Sequence, residues 1–234
     1  MLAKKMVSGF ALVLLVQTGF AQTLENTSTV QRPIEQLSQQ AQEAAKSRDH
    51  KLAMLCYKKV FDLDPSRTDI FDTIAKMYYD ARNYPQAFEA YLEKIQMVKP
   101  AERDYFYMGN CQMQLKNFQM ADSLYAKVNE LNPTYAIGWY TRVRINVALD
   151  MDNERKTKAK PFYQKYLELV EPTFDKTDVA TKSKVLTAYA YLVEYYAASG
   201  GSQDLERALE YGKKVEMLAP DYYKLVVCGG PRKD

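Results

Sequence analysis

The stretch KNFQMADSLYAKVNELNP, from Lys116 to Pro133, decides the fold because its key residues recur along the chain. Within it, Ala121 is followed four residues later by Tyr125, and a proline closes the stretch. Alanine and tyrosine return with a period of 34 residues, and a proline closes each copy, which gives Ala53, Tyr57 and Pro65, then Ala87, Tyr91 and Pro100. A period of this length indicates one supersecondary unit that is repeated along the chain.

The residues that precede each copy have a pattern of their own. It reads Phe71-x2-Ile74-Ala75-x2-Tyr78 in one copy and Tyr105-x2-Met108-Gly109-x2-Gln112 in the next. A later copy begins at Trp139 and departs from the pattern at Arg142 and Asn146. Together with the Ala-x3-Tyr and proline positions, this resembles the tetratricopeptide repeat (TPR), whose first helix reads W-x2-L-G-x2-Y. The resemblance implies an all-α fold, a right-handed superhelical solenoid of about five helix-turn-helix units.

The residue types have physical reasons. Alanine or glycine is expected where the two helices of a unit approach closely, because a larger side chain would push them apart. Aromatic residues fill the space between neighbouring units. Proline ends the second helix because it lacks an N–H and clashes with the preceding turn. Asp64 and Asn132, which precede two of the prolines, lie where helical conformation is disfavoured.

The repeat divides the chain into segments. Long turns are predicted at the insertions DMDNERKTK and AASGGSQD, in the fourth and fifth units. In the fifth unit Gly212 occupies the aromatic position, which predicts a looser helix pair. The predicted segments are a signal peptide at 1–21, a flexible polar leader at 22–32, a TPR array at 33–222 with units at about 33–67, 68–101, 102–135, 136–173 and 184–222, and a C-terminal tail at 223–234.

Residues 1–21 have the order of a secretory signal. They begin with two lysines, continue with an apolar run from Phe10 to Val16 and end in small residues at Ala21, where cleavage is expected. A membrane anchor is the alternative, but a spanning helix needs about 20 apolar residues, and Gln17 and Thr18 interrupt this run. We therefore predict an exported protein, periplasmic or secreted, with no transmembrane segment in the mature chain.

The charge balance disfavours nucleic acid as a partner. The full chain has 32 Lys and Arg residues against 29 Asp and Glu, a net charge of +3. Cleavage of the signal removes two lysines, which lowers 32 to 30 and the net charge to +1. A nearly neutral chain lacks the basic surface that nucleic acid binding requires.

The sequence contains no recognisable catalytic set, so we predict no enzymatic activity, cofactor or metal. Its single histidine, His50, lies in a polar turn, and there is no Gly-rich phosphate loop, CxxC or HExxH motif. The acidic residues of DMDNE, Asp150 to Glu154, alternate as in a calcium loop. Arg155 and Pro161 stand where that loop requires Gly and Glu, which argues against calcium.

The three cysteines predict no disulfide within the repeat array, whereas a cross-link between two copies through Cys228 stays open. Cys56 and Cys111 lie in the first and third units, and solenoid units contact only their neighbours, so a disulfide between them is not expected. Both are predicted to act as small buried apolar residues. Cys228, in the tail, is the candidate reactive thiol, and the redox states of all three stay open.

The resemblance to TPR proteins also implies a binding surface, because the first helices of successive TPR units line a concave groove. Aromatic rings beside Arg and Asn suit an extended peptide. The alternative is that Phe106 or Tyr140 packs inside the fold. The groove candidates are Lys76, Tyr79, Arg103, Phe106, Asn110, Met113, Tyr140, Arg144, Val147, Tyr191 and Glu194.

One family of TPR ligands is disfavoured. TPR proteins that bind chaperone tails clamp a terminal carboxylate with Lys and Asn side chains. The resemblance matches Asn110 to one of these, but Phe106 replaces a Lys and Thr141 replaces an Asn. We therefore do not expect a chaperone tail as the ligand.

The expected function is a non-catalytic scaffold or adaptor of the bacterial cell envelope that binds an extended segment of another protein. The Phe-Ala-Gln cleavage region and AKPFYQKYLEL, Ala159 to Leu169, also resemble exported TPR proteins of Bacteroidota. The alternative is a self-associating structural subunit, joined through the apolar segment DYYKLVVCGG after Pro220. An enzyme on a helical scaffold is a third hypothesis. Partner identity, oligomeric state and the choice between concave and convex face stay open.

Overall fold

The computed structural model of the chain describes residues 31–150 and 157–222, and these contain helices and turns without a strand. The predicted signal peptide, most of the leader and the tail lie outside these ranges. The all-α helical repeat predicted from the 34-residue period is confirmed. The first helix, α1, spans residues 31–46. It is followed by α2 (His50–Leu63), α3 (Asp69–Asp80), α4 (Tyr84–Met97), α5 (Glu102–Gln114), α6 (Phe118–Leu131), α7 (Ala136–Leu149), α8 (Lys160–Val170), a 3₁₀ helix (Glu171–Thr173), α9 (Val179–Ser199) and α10 (Ser202–Leu218).

The chain forms two compact units that divide between Lys99 and Pro100. The first contains α1 to α4, where α3 packs against both α2 and α4. The second contains α5 to α10, where each helix packs against the next along the chain. Within each unit the helices therefore follow one another in space as they do in sequence.

Two helices begin earlier than the predicted segment boundaries. The helix α1 already includes residues 31 and 32, which belong to the predicted leader 22–32. The helix α9 starts at Val179, ahead of the predicted boundary at Lys184. Its start is fixed by Asp178, whose carboxylate accepts a hydrogen bond from the backbone N–H of Ala180 at 3.1 Å. Such a cap satisfies one of the free N–H groups at a helix start.

The first three helix pairs share one turn geometry. Arg48, Arg82 and Lys116 have φ angles of 64°, 59° and 61°, in the left-handed region that normally favours glycine. In the turn after α3, Arg82 N–H bonds to Tyr79 O and Asn83 N–H to Tyr78 O, each at 2.9 Å. The two other turns have the same pair of bonds, which defines a Schellman motif at the end of each first helix.

The repeated alanine and aromatic positions form the interior of the helix pairs. Ala53, Ala87, Ala121 and Ala159 have no exposed surface, and the tyrosines four residues after each are buried. In the last pair Gly212 stands in place of the aromatic residue and is buried. There Tyr211 supplies the ring instead, stacked on Tyr196 with centroids 6.1 Å apart and planes 4° from parallel.

Gly109 shows how close the helices of a pair come. A Cβ atom added at this position would lie 2.8 Å from two ring carbons of Tyr125 on α6. Tyr125 is itself 1 % exposed, and its hydroxyl donates to Asn110 Oδ1 at 2.9 Å. The Tyr125 ring therefore packs against Gly109 and is fixed by its hydrogen bond to Asn110. Position 109 has no room for a side chain beside this ring.

A polar network joins α6, α7 and α8 in the second unit. Arg142 donates two hydrogen bonds to the Asp122 carboxylate, at 2.9 and 2.8 Å, and Asn146 donates a third at 2.8 Å. The Arg142 guanidinium also lies 4.2 Å from the ring centroid of Phe162. The fourth copy departs from the repeat pattern at Arg142 and Asn146 because these residues bind Asp122 rather than fill an apolar position.

The contact at Gly109 can be tested by substitution. Overpacking a core costs about 1–3 kcal/mol, and alanine in place of a helical glycine regains up to about 1 kcal/mol. We therefore expect Gly109→Ala to lower the free energy of unfolding by about 1–2 kcal/mol in a urea titration followed by circular dichroism. The same change should cost less in a Tyr125→Leu background, because the ring is gone. An equal cost in both backgrounds would contradict this contact.

Candidate functional site

The predicted groove positions of the first compact unit lie on α3. Lys76 is exposed, and its Nζ lies 2.7 Å from Asp80 Oδ2, one turn further along the same helix. Tyr79 is half-buried, with its ring edge-on to Tyr84 at a centroid distance of 5.7 Å. These two positions are on the surface, but each already has a neighbour within its own helix pair.

Most of the predicted positions on α5 serve the fold. Arg103 is exposed. Asn110 accepts the hydroxyl hydrogen bond of Tyr125, and Phe106 lies edge-on to the same ring at 5.8 Å between centroids. Met113 packs against the surrounding apolar cluster. Phe106 is therefore half-buried and packs against the fold, which is the alternative that the sequence left open for this residue.

The predicted positions on α7 differ in exposure. Tyr140 is half-buried, and its ring centroid lies 5.0 Å from that of Tyr166 on α8. Burial raises the pKa of its phenol. Arg144 and Val147 are exposed. Tyr140 thus belongs largely to the core, whereas the next two positions along the same side of the helix are open to a partner.

The predicted positions on α9 lie beside those of α7. Tyr191 is half-buried, and its ring centroid is 4.5 Å from that of Tyr163 on α8. Glu194 is exposed and lies one turn further along the helix. Both line the same pocket as Val147. Two successive first helices therefore contribute predicted residues to one concave site.

Three depressions of the second unit contain predicted groove residues. One, of about 480 Å³, includes Arg103 and Phe106 at the start of α5. A second, of about 310 Å³, includes Tyr140. The third, of about 370 Å³, we call the Asp150 pocket; its lining residues are Val147, Asp150, Tyr163, Thr187, Ala190, Tyr191, Glu194 and Tyr222. Neither Arg144 nor Asn110 lines any of these three depressions.

The Asp150 pocket combines phenols with carboxylates. Burial raises the pKa of Tyr191 to about 12, and the nearby charge of Asp150 adds to the increase. Burial also raises the pKa of Tyr163. Because both phenols stay protonated at neutral pH, they can donate hydrogen bonds. Asp150 is 2 % exposed, and its Oδ2 accepts the backbone N–H of Lys158 at 2.6 Å.

Five residues that line this pocket are not among the positions predicted from the sequence, and Asp150 and Tyr163 are two of them. In the repeat pattern Tyr163 is an aromatic filler, and Asp150 belongs to the segment that resembles a calcium loop. A signal for Asp150 does exist, because it lies three residues after the predicted groove position Val147. The other acidic residues of that loop, at 152 and 154, lie outside the described ranges.

The described residues also bear on the predictions about metal sites, His50 and membrane spans. Among residues 31–150 and 157–222, no three His, Cys, Asp or Glu side chains lie close enough together to hold a metal ion. His50 is half-buried, its ring centroid 6.4 Å from that of Tyr78. Within the same ranges, no helix combines the length and apolar character that crossing a membrane requires.

Solved structures share this arrangement of helices. The chain is similar to the C-terminal part of a TPR repeat-containing protein from Cytophaga hutchinsonii, with 26 % identity and a TM-score of 0.63 over 85 % of this chain and 73 % of that one. The fold is that of the tetratricopeptide repeat proteins. No protein-family model and no curated protein matches the chain. The similarity to a protein of a Cytophaga species agrees with the predicted resemblance to TPR proteins of Bacteroidota.

Two more distant structures share the TPR fold alone. MamA is 20 % identical, with a TM-score of 0.53 over 82 % of this chain and 94 % of MamA. YrrB, described as a TPR protein with an unusual peptide-binding site, is 16 % identical, with a TM-score of 0.51 over 81 % of this chain and 88 % of YrrB. TPR proteins with very different sequences thus keep this arrangement of helices.

The state of Cys111 can be tested chemically. It has no exposed surface, and burial raises the pKa of its thiol to about 12. Only the thiolate reacts with iodoacetamide, so at about pH 8 we expect alkylation of Cys111 to be at least about 100-fold slower in the folded protein than in urea. A Cys228→Ser variant removes the tail thiol, and peptide mass spectrometry separates Cys111 from Cys56. Equal rates in both conditions would contradict this burial.

Proposed function

We propose that this protein is a non-catalytic TPR adaptor of the bacterial cell envelope, which holds an extended segment of another protein on the surface formed by α7 and α9. The observation that carries the proposal is that Val147 of α7 lines the same pocket as Tyr191 and Glu194 of α9. A segment lying across both helices would contact all three. This contact set matches the groove expected of successive TPR units.

The chemistry of this surface suits a peptide better than a small substrate. Exposed Arg144 and Glu194 can bind backbone or side-chain groups of either charge, and half-buried Tyr191 offers a rigid apolar face. YrrB, a TPR protein with an unusual peptide-binding site, is a precedent for peptide binding by this fold. The location in the envelope rests on the predicted signal at residues 1–21, which lie outside the described ranges.

Site-specific cross-linking can test the proposed surface. A photo-reactive phenylalanine derivative would replace Arg144 in one variant and Glu194 in another, and both would be expressed in the native host. Both are exposed on neighbouring helices, so we expect them to capture the same protein through the same short segment, as mapped by mass spectrometry. Matched controls carry the derivative at exposed Lys213 and Glu216 of α10 and should not capture that segment.

Two results would overturn the adaptor proposal. One is capture of the same partner segment from α10 and not from α7 or α9, which would move the binding surface elsewhere. The other is capture of nothing but further copies of this chain at all four positions. Circular dichroism of each variant is the control for folding.

Self-association is the second candidate function, because α10 exposes large apolar side chains. Leu209 and Met217 are 64 % and 69 % exposed, and Leu205 is 46 % exposed. Leu209 lies one turn after Leu205, and Met217 lies about two turns after Leu209. Single apolar residues on a surface are ordinary, but three on one helix near the end of an array can contact a second copy.

Sedimentation velocity separates the two candidates. If α10 joins copies of the chain, the wild type should sediment as a dimer or larger species, and Leu209→Lys with Met217→Lys should sediment as a monomer because the charges prevent burial of those positions. Leu131→Lys, at an exposed apolar site of α6, is the matched control and should not change the size. A monomeric wild type would exclude assembly through α10.

A further inference from the structure

The Asp150 pocket contains a buried carboxylate oxygen that lacks a partner. Asp150 Oδ2 is occupied by the backbone N–H of Lys158. Its Oδ1 is fully buried and has no hydrogen-bond partner among the described residues. A buried carboxylate oxygen without a donor is costly, because the water that would bind it has been removed. This is the kind of atom that a ligand with hydrogen-bond donors would satisfy.

The nearest cation does not fill this role. Lys158 Nζ lies 3.9 Å from Asp150 Oδ1, which is longer than a hydrogen bond. It points instead to the carbonyl oxygen of Leu149, at 3.2 Å, and its side chain is 50 % exposed. The ammonium therefore reduces the negative potential but gives Oδ1 no hydrogen bond.

The walls of the pocket are also suited to a cation. The rings of Tyr163 and Tyr191 lie side by side, with centroids 4.5 Å apart. Glu194 adds a second carboxylate at an exposed position, and no basic side chain is among the described residues that line the pocket. Carboxylates attract an ammonium or guanidinium group, and aromatic faces bind the same groups through their quadrupoles.

We propose that the Asp150 pocket binds a lysine or arginine side chain of the partner segment, whose charged end donates a hydrogen bond to Asp150 Oδ1. This inference rests on the proposed adaptor function and adds to it the class of residue that the segment must present. The aliphatic stem lies against Val147 and the two tyrosine rings. A volume of about 370 Å³ accommodates a single side chain of this size.

Other ligand classes fit the pocket less well. An anion would meet two carboxylates. An apolar side chain would leave the buried Asp150 Oδ1 without a donor, so the cost of that unsatisfied oxygen would remain. A metal ion would need more ligands than Asp150 and Glu194 supply. The basic side chain is the ligand that satisfies both the carboxylate and the rings.

The test uses small probes and the mature chain, residues 22–234, labelled with ¹⁵N. Nα-acetyl-lysine amide and Nα-acetyl-arginine amide are titrated, with Nα-acetyl-norleucine amide as the uncharged control of similar shape. We expect saturable amide shifts confined to the pocket, near Thr187 and Ala190. The norleucine probe should bind at least about tenfold more weakly, since a hydrogen bond between charged groups is lost.

Two variants test which carboxylate binds the cationic probes. Asp150→Asn keeps the shape and an acceptor for the Lys158 N–H but removes the charge, and should weaken binding of both cations at least about tenfold. Glu194→Gln should weaken it less, about two- to threefold, because an exposed carboxylate is screened by solvent. Equal binding of norleucine and lysine probes, or unchanged binding to Asp150→Asn, would overturn the inference. If Asp150→Asn does not fold, the norleucine comparison decides.

The chain carries basic residues of its own after Tyr222, at Lys224, Arg232 and Lys233. A full-length variant with all three changed to Gln distinguishes them from a partner as the source of the cation. Unchanged probe affinity supports the partner as source, and a gain of about tenfold would overturn it in favour of the tail. Probe binding without a cross-linked partner would refute the adaptor but leave a cation site. A captured partner without probe binding would refute the cation site alone.

Discussion

The close approach of the two helices in each pair is the constraint on which the rest of the structure depends. Gly109 has no room for even a methyl group beside Tyr125, and Ala53, Ala87 and Ala121 have no exposed surface. When two helices come this near, the aromatic ring of one must lie flat in the gap beside the small residue of the other. The repeat pattern therefore follows from this single packing requirement, which recurs every 34 residues in the first three helix pairs.

The same constraint explains why some predicted groove residues belong to the core. The rings that fill the space between helices are not fully covered by one pair, so neighbouring side chains such as Phe106 and Tyr140 complete the packing. On α7, Arg144 and Val147 lie one and two turns after Tyr140 and are exposed to a partner. Core and binding surface thus meet along the same helix side.

The architecture could be predicted from the sequence because few folds besides a helical repeat require small, aromatic and proline residues at one fixed spacing. The binding surface was harder to predict, since position on a helix does not tell whether a ring such as that of Phe106 is covered by a residue distant in sequence, here Tyr125. Asp150 was missed because its importance comes from burial and from a lone oxygen atom, and neither follows from residue type. The start of α9 could have been predicted from Asp178, a residue that commonly begins helices.

The left-handed residues Arg48, Arg82 and Lys116 have a consequence for the stability of their turns. A non-glycine residue in this conformation costs about 1 kcal/mol or more, but a basic side chain at a helix C-terminus regains about 0.3–1 kcal/mol from the helix dipole. The second effect offsets part of the first. These turns therefore keep their left-handed geometry without glycine, and part of the conformational cost is returned by the charge of the side chain.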